Sequence, residues 1–368
     1  MHDQNATKLL AKVMGWQDLG AVPQFLPTLQ LLADFKYDHY QQFAPGRRFI
    51  ESLALWLNQF APNDRAIALR LVTERLVFFS DAEFSHLVRT AYPDWIVQER
   101  VRLVSEEFDI PSHRVEQISN HRRFKQLRLT SLYLGLSDGA RTNELRRASD
   151  GDINNEQIWQ AYELGEEKAG DMLADLKTSL VEANLAVEQP RFNLVWLLDD
   201  FSGSGNTYIR YDGEKKAFKG KLPRIYERLR RGDLVDPSHY EVFLLLYTAT
   251  RQAIDHIEYW SERFTTAMSY KPLQVRVLCP IEPEVALTNV SDAALRELLN
   301  NPAYCDNRVV DRHFRVGGTD DARLGFAACA LPVVLAHNTP NNSIYLLWGP
   351  ELREPFGLFP RVSRYREF

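Results

Sequence analysis

The chain has 368 residues, 45% of them hydrophobic and 25% charged, with 18 glycines, 18 prolines and a formal net charge of −5. These values exclude a collagen-like, disordered or coiled-coil chain, and the length supports a core in one to three domains without disulfide or metal. The mild acidity argues against non-specific nucleic-acid binding by the whole molecule and leaves only local basic patches to consider.

Cys279, Cys305 and Cys329 are too few and too scattered for a disulfide framework or a metal knuckle, and they suit a reducing compartment. The segment MHDQNATKLLAKVMGWQDLG lacks the pattern of a leader, and the longest apolar run, Phe326 to Ala336, is interrupted by Pro332 and too short to span a bilayer. The expectation is a cytoplasmic protein that is not membrane-anchored.

From about Val22 to Glu107 the apolar residues recur every three or four positions, as in FIESLALWLNQF, IALRLVTERLVFF and EFSHLVRTAYPDWI, with charged residues on the other face. Prolines punctuate these segments, and Ser80-Asp81 offers a helix N-cap. An all-helical half is expected here, with leucines, valines and Trp56 as core. From about Leu127 the pattern changes to short continuous apolar blocks: 129–136, 193–200, 240–248, 273–280, 326–336 and 343–348. Runs of this kind fit strands buried on both faces, and their alternation with helical segments at 155–183, 221–231 and 249–268 predicts an α/β domain with a mainly parallel sheet. The boundary falls near residues 115–128, giving a helical regulatory or partner-docking domain over 1–120 and an α/β domain over 121–368. Segment 185–192 is a loop leading into the central strand.

The chemistry is concentrated in NLVWLLDDFSGSGNTYIR, a buried strand ending in Asp199 and Asp200 and running into a loop that closes on Thr207. Gly203 and Gly205 permit positive φ and close backbone approach, while Ser202, Ser204 and Thr207 offer hydroxyls. Successive N–H groups would make an anion nest at the mouth of the next helix. Two strand-end carboxylates can accept hydrogen bonds from a ribose cis-diol. As acids facing a ligand they would contribute little to the core, and a bulky residue at Gly205 would exclude phosphate.

The string Asp199-Asp200-Phe201-Ser202-Gly203-Ser204-Gly205-Asn206-Thr207 resembles the phosphoribosyl-diphosphate signature of type I phosphoribosyltransferases. The resemblance implies that Asp199 and Asp200 hold the 2′- and 3′-hydroxyls and that Ser204, Gly205, Asn206 and Thr207 wrap the 5′-phosphate. Ser202 and Gly203 would shape the loop, with Phe201 in the same substrate-binding string. Upstream, Ser137-Asp138-Gly139-Ala140-Arg141 takes the place of the loop that receives the pyrophosphate end, and Arg141 with Arg146 and Arg147 would supply counter-charge. The family's nucleobase-recognising hood is not recognisable, and the chain is longer than a salvage enzyme needs.

With its helical first half and the late segment HNTPNNSIYLLW, the chain from about residue 30 onward resembles the phosphoribosyltransferase-like effectors of bacterial conflict systems, some of which accompany retrons. That resemblance implies an antiphage toxin restrained by a regulatory partner, such as a reverse transcriptase with its RNA–DNA product. It also implies a phosphoribosyl diphosphate or nucleotide ligand with substrate-bridged Mg²⁺ and no metal site of the protein's own. Chemistry at such a site is displacement at the anomeric carbon through a transition state of oxocarbenium character, without a protein nucleophile. The rival expectation is a non-catalytic nucleotide-sensing or scaffold module that gates a partner, since fold does not fix function.

The remaining features each admit two readings. The basic run from Glu214 to Asp233 suits either phosphate contacts with nucleic acid or a solvated helix face. His337-Asn338-Thr339-Pro340 and Trp348 suit either a pocket wall or a turn and a core tryptophan. No spacing typical of a zinc site or a catalytic triad is present.

Overall fold

The apolar blocks at 129–136, 193–200, 240–248 and 273–280 all contain strands in the computed structural model, which describes residues 3–16, 23–163, 165–351 and 354–361. In chain order the strands are β1 (Val77–Phe79), β2 (Ser131–Gly135), β3 (Ile158–Gln160), β4 (Leu194–Ser202), β5 (Arg210–Asp212), β6 (Ala217–Lys219), β7 (Glu241–Thr250), β8 (Leu273–Ile281) and β9 (Val333–Leu335). Five of them form one sheet in the order β3-β2-β4-β7-β8, and every neighbouring pair is parallel. Residues of β4 and β7 pair from Leu194↔Glu241 to Ser202↔Ala249, so β4 lies in the middle of the sheet and is covered on both faces.

Alternation within these strands sorts their side chains. Leu132, Leu134, Val195, Leu197, Val242, Leu244 and Leu246 share a core with the helices Glu166–Glu182, Lys221–Arg231 and Arg251–Met268. Tyr133, Trp196 and Phe243 point the other way; Trp196 stacks on Phe243 with centroids 4.2 Å apart. That second face is covered by the helix Gln98–Phe108. Its Arg100 is fully buried and donates to the hydroxyls of Tyr92 at 3.0 Å and Tyr133 at 2.5 Å, and Glu99 pairs with Arg276 of β8 at 2.7 Å. A helix expected in a separate domain is thus one layer of the sheet's own sandwich.

The chain accordingly divides into two compact units, one formed by Phe84–Ile281 and the other by the residues up to Glu83 together with those from Glu282 onward. This differs from a division at residue 120. In the unit built from the chain ends, helices such as Phe49–Asn58 surround Phe359, whose ring lies 5.2–6.0 Å from those of Tyr37, Tyr40, Phe43, Phe49 and Phe78. The Tyr40 hydroxyl accepts from the Thr339 N–H at 3.2 Å and donates to the Pro360 carbonyl at 3.0 Å. β1 pairs with β9 in parallel, an exception to the all-helical expectation for the first half. The N-cap expected at Ser80 is present as a capping box: Ser80 Oγ accepts from Glu83 N–H at 3.2 Å, and Glu83 accepts from Ser80 N–H at 2.7 Å.

Two apolar blocks do not enter the main sheet. In 326–336 only Val333–Leu335 is a strand, because Ala327, Ala328 and Ala330 adopt left-handed backbone with φ of 50–58°. Residues 343–348 contain the helical turn Tyr345–Trp348. Conversely, β3 arises inside the 155–183 segment expected to be helical throughout; the helix there begins at Glu166. Among the described residues no helix is long and apolar enough to cross a membrane.

Phe359→Ala should lower stability by about 3–5 kcal/mol, the cost of truncating a buried aromatic, as measured by urea denaturation. A loss below about 1 kcal/mol, no more than an average substitution costs, would show that the unit does not depend on this ring.

Candidate functional site

The strand order places a topological switch between β2 and β4: the chain leaves β2 toward β3 on one side, and from β4 proceeds toward β7 and β8 on the other. Open parallel sheets hold ligands in the crevice beyond the carboxyl ends of two such strands. Ser137–Arg141 follows β2 and the acidic pair lies in the last four residues of β4, so two of the segments singled out in the sequence meet at this switch.

The two acids are not equivalent. Asp199 is buried, and its Oδ1 accepts from the Ser137 hydroxyl and from the Asp200 N–H at 3.2 Å. Its Oδ2 accepts from the Tyr208 hydroxyl at 2.7 Å and from Lys221 Nζ at 2.9 Å. Burial pushes the Asp199 carboxyl above the ordinary carboxylate range; Lys221 opposes the shift and the neighbouring Asp200 charge reinforces it. Burial also raises the Tyr208 phenol well above its usual value, in concert with the Asp199 carboxylate. In place of a strand-end acid with little part in the core, Asp199 is an internal anchor. Asp200 is half-buried, with Oδ1 accepting from Phe201 N–H at 2.9 Å.

The loop after β4 has the properties of an anion nest. Among the described residues, the N–H groups of Ser204, Gly205, Asn206 and Thr207 donate to no internal acceptor, although Ser204 and Gly205 are buried. Ser202 is buried at the end of the strand, and the Gly203 carbonyl accepts from Thr250 Oγ1 at 2.6 Å. Thr250 also caps the helix Arg251–Met268, accepting from Ala253 N–H at 3.0 Å, so one side chain fixes both loop and helix. No helix begins directly after Thr207. The Gly205 carbonyl accepts from Tyr208 N–H at 3.0 Å, and the hairpin β5–β6 precedes the helix Lys221–Arg231. Gly205 has φ +76°, and an added Cβ would lie 2.9 Å from the Ala253 carbonyl and from His256. Its missing side chain therefore faces packed protein, and the reason for glycine is backbone conformation and helix packing, in place of the expected room for phosphate.

The loop after β2 lies against the acidic pair. Besides the Ser137 bond to Asp199, a Cβ on Gly139 would fall 2.2 Å from Asp200 Oδ2, and the Ala140 carbonyl accepts from the buried Tyr247 hydroxyl at 2.8 Å. Asp138 is exposed. Arg141 has left-handed backbone at φ 49°, with its guanidinium 5.2 Å from the Phe84 ring and 3.4 Å from Glu144. Arg146 and Arg147 sit in the last turn of the helix Thr142–Ala148, at the end remote from the loop, where cations complement the helix dipole.

His337–Trp348 belongs to the unit of the chain ends. Thr339 is buried beside Tyr40, and Trp348 packs between Phe314 and Tyr345, as a core tryptophan does. The basic run supplies β6 and the helix Lys221–Arg231, which buries Leu222, Ile225, Tyr226 and Leu229. Arg228 on that helix donates to the Ala161 carbonyl at 2.6 Å. Sequence reasoning did not single out Tyr208, Lys221, Tyr247 or Thr250. Tyr208 adjoins the loop motif, but nothing local marks Lys221, which lies 22 residues from Asp199.

Together the parallel sheet, the switch-point crevice and the loop behind an acidic pair define a phosphoribosyltransferase-like α/β protein. A family model, PRTase-CE, matches residues 53–361, and the chain belongs to that family. No curated protein and no solved structure matches the chain.

Gly205→Ala should destabilise the fold by about 1–2 kcal/mol, the cost of a side chain in left-handed backbone, with added strain from the Ala253 contact. An unchanged denaturation midpoint would contradict the packing described for this loop.

Proposed function

We propose that the chain binds phosphoribosyl diphosphate or a ribonucleotide, with Mg²⁺ held through the substrate, and transfers or cleaves at the ribosyl C1′. Its biological setting in this proposal is the cytoplasm, as an effector of a bacterial antiphage defence system. The nest supports this most strongly: four successive N–H donors without internal acceptors, opening beside an acidic pair at the carboxyl end of the central strand. A phosphate's oxygens would satisfy those donors, and the ribose would then extend toward Asp200.

The chemistry asked of the protein is mainly positioning. The nest holds the 5′-phosphate and Asp200 accepts a hydrogen bond from a ribose hydroxyl. The loop 137–141 confines the opposite end of the substrate. With the sugar fixed at both ends, the bond from C1′ to its leaving group breaks as the acceptor's bond forms. Asp200 supplies one half-buried carboxylate, which suits an ion that takes most of its oxygen ligands from the substrate and water. Mg²⁺ bound there would offset charge on the diphosphate oxygens.

A second function is favoured by the way the loop lies on the acids. Because Gly139 abuts Asp200 and Ser137 binds Asp199, a ligand must share or displace these contacts. That suits a sensor whose occupancy gates a regulatory partner, such as a reverse transcriptase with its RNA–DNA product.

Calorimetric titration with phosphoribosyl diphosphate and Mg²⁺ should give saturable binding that weakens by about tenfold or more in Asp200→Asn, a change of about 1.4 kcal/mol, with the fold intact. Absence of binding to folded wild type would overturn the proposal. Release of diphosphate during the titration favours the enzyme, and binding without turnover favours the sensor.

A further inference from the structure

The Asp199 carboxylate touches both halves of the proposed site. On its Oδ1 side it holds Ser137, the first residue of the loop after β2. On its Oδ2 side it holds Tyr208, the residue that follows the nest, at 2.7 Å, and Lys221 at 2.9 Å. Lys221 reaches the nest a second time through its backbone, donating its N–H to the Thr207 carbonyl at 3.0 Å, and its Nζ lies 5.2 Å from the centre of the Tyr208 ring. The next residue repeats the pattern, Leu222 N–H donating to the Tyr208 carbonyl at 3.0 Å. A movement of the loop at Ser137 therefore cannot occur without breaking or dragging a carboxylate that is bonded to the nest's own closing residues. The carboxylate is only 2% exposed, so a bond lost to it would not be replaced by water, and leaving a buried charge unpartnered is strongly disfavoured.

We infer that Asp199 is a positioning residue that couples the two half-sites, so that an anion held in the nest raises the affinity of the loop 137–141 for a second anion, and the reverse. This rests on the proposal that the nest takes a sugar phosphate and the loop a diphosphate. It adds that the two sites are thermodynamically linked through Ser137, Asp199, Tyr208 and Lys221. The linkage must be reciprocal, because coupling free energy belongs to the pair of sites and not to either ligand. Its physical source is the shared carboxylate: a ligand that shifts Ser137 on one side shifts a group hydrogen-bonded to Tyr208 and Lys221 on the other.

The test is two-ligand calorimetry on the full chain. Ribose 5-phosphate is titrated with and without saturating inorganic pyrophosphate, and pyrophosphate with and without saturating ribose 5-phosphate. Wild type should show a mutual gain in affinity of about fivefold or more, the lower end of measured couplings. Ser137→Ala cuts the arm to the loop and Tyr208→Phe cuts an arm on the nest side, each by removing a single oxygen. In both variants the coupling factor should fall toward one, whatever happens to the separate affinities. A merely structural role for these bonds would weaken both ligands and leave their ratio unchanged. If both ligands bind wild type independently or competitively, or if coupling survives in Ser137→Ala, the inference is wrong while the site assignment stands. If neither ligand binds folded wild type, the site assignment fails and the inference falls with it.

Discussion

A carboxylate buried at the end of the central strand needs partners, and the partners that Asp199 recruits determine how the rest of the site is arranged. A charge in that position is costly unless it is hydrogen-bonded and paired. Lys221 supplies the countercharge, Tyr208 and Ser137 supply hydroxyl donors, and each comes from a different segment of chain. The start of the helix Lys221–Arg231, the turn that ends the nest and the loop after β2 are thereby gathered on two oxygens. What remains turned toward the crevice is Asp200 and a run of backbone N–H groups, an arrangement suited to a phosphorylated sugar.

Thr250 and Tyr247 do comparable work from the neighbouring strand. Thr250 fixes the Gly203 carbonyl while capping the helix Arg251–Met268, and Tyr247 fixes the Ala140 carbonyl. Both loops thus rest on side chains from β7, an interior strand between β4 and β8, which favours a site whose geometry is set before any ligand arrives. Gly205 and Gly139 then read as packing requirements. The first lies against the helix and the second against Asp200, and neither position has room for a Cβ.

How much of this was legible in the sequence follows from the range over which each feature is determined. The strands β2, β4 and β7 were legible because each is a continuous, largely buried apolar run, and β8, half-buried at the sheet edge, because apolar residues still dominate it. β3 was not, since three residues at a sheet edge leave too short a pattern. The block 326–336 looked like a strand because small residues conceal backbone conformation: nothing in a run of alanines announces positive φ at Ala327, Ala328 and Ala330. No local pattern marks Arg100 as buried, and the tyrosines it meets in three dimensions make its burial tolerable. The division of the chain was least accessible of all. Tyr40 and Thr339 are separated by 299 residues, and no local composition signals that the ends of the chain build one core. Within the site, the acidic pair and nest were legible as a motif, whereas the inequality of the two acids depends on Lys221, whose position is set by the intervening hairpin.

The central claim is that the N–H groups of residues 204–207 are held ready for an anion. Hydrogen–deuterium exchange of those amides, with and without ribose 5-phosphate, tests it most directly, because exchange reports whether each N–H has gained an acceptor. The account predicts slowed exchange at Ser204, Gly205, Asn206 and Thr207 on adding the ligand, with the buried amides of β4 unchanged. Exchange at those four amides that is indifferent to the ligand would contradict it.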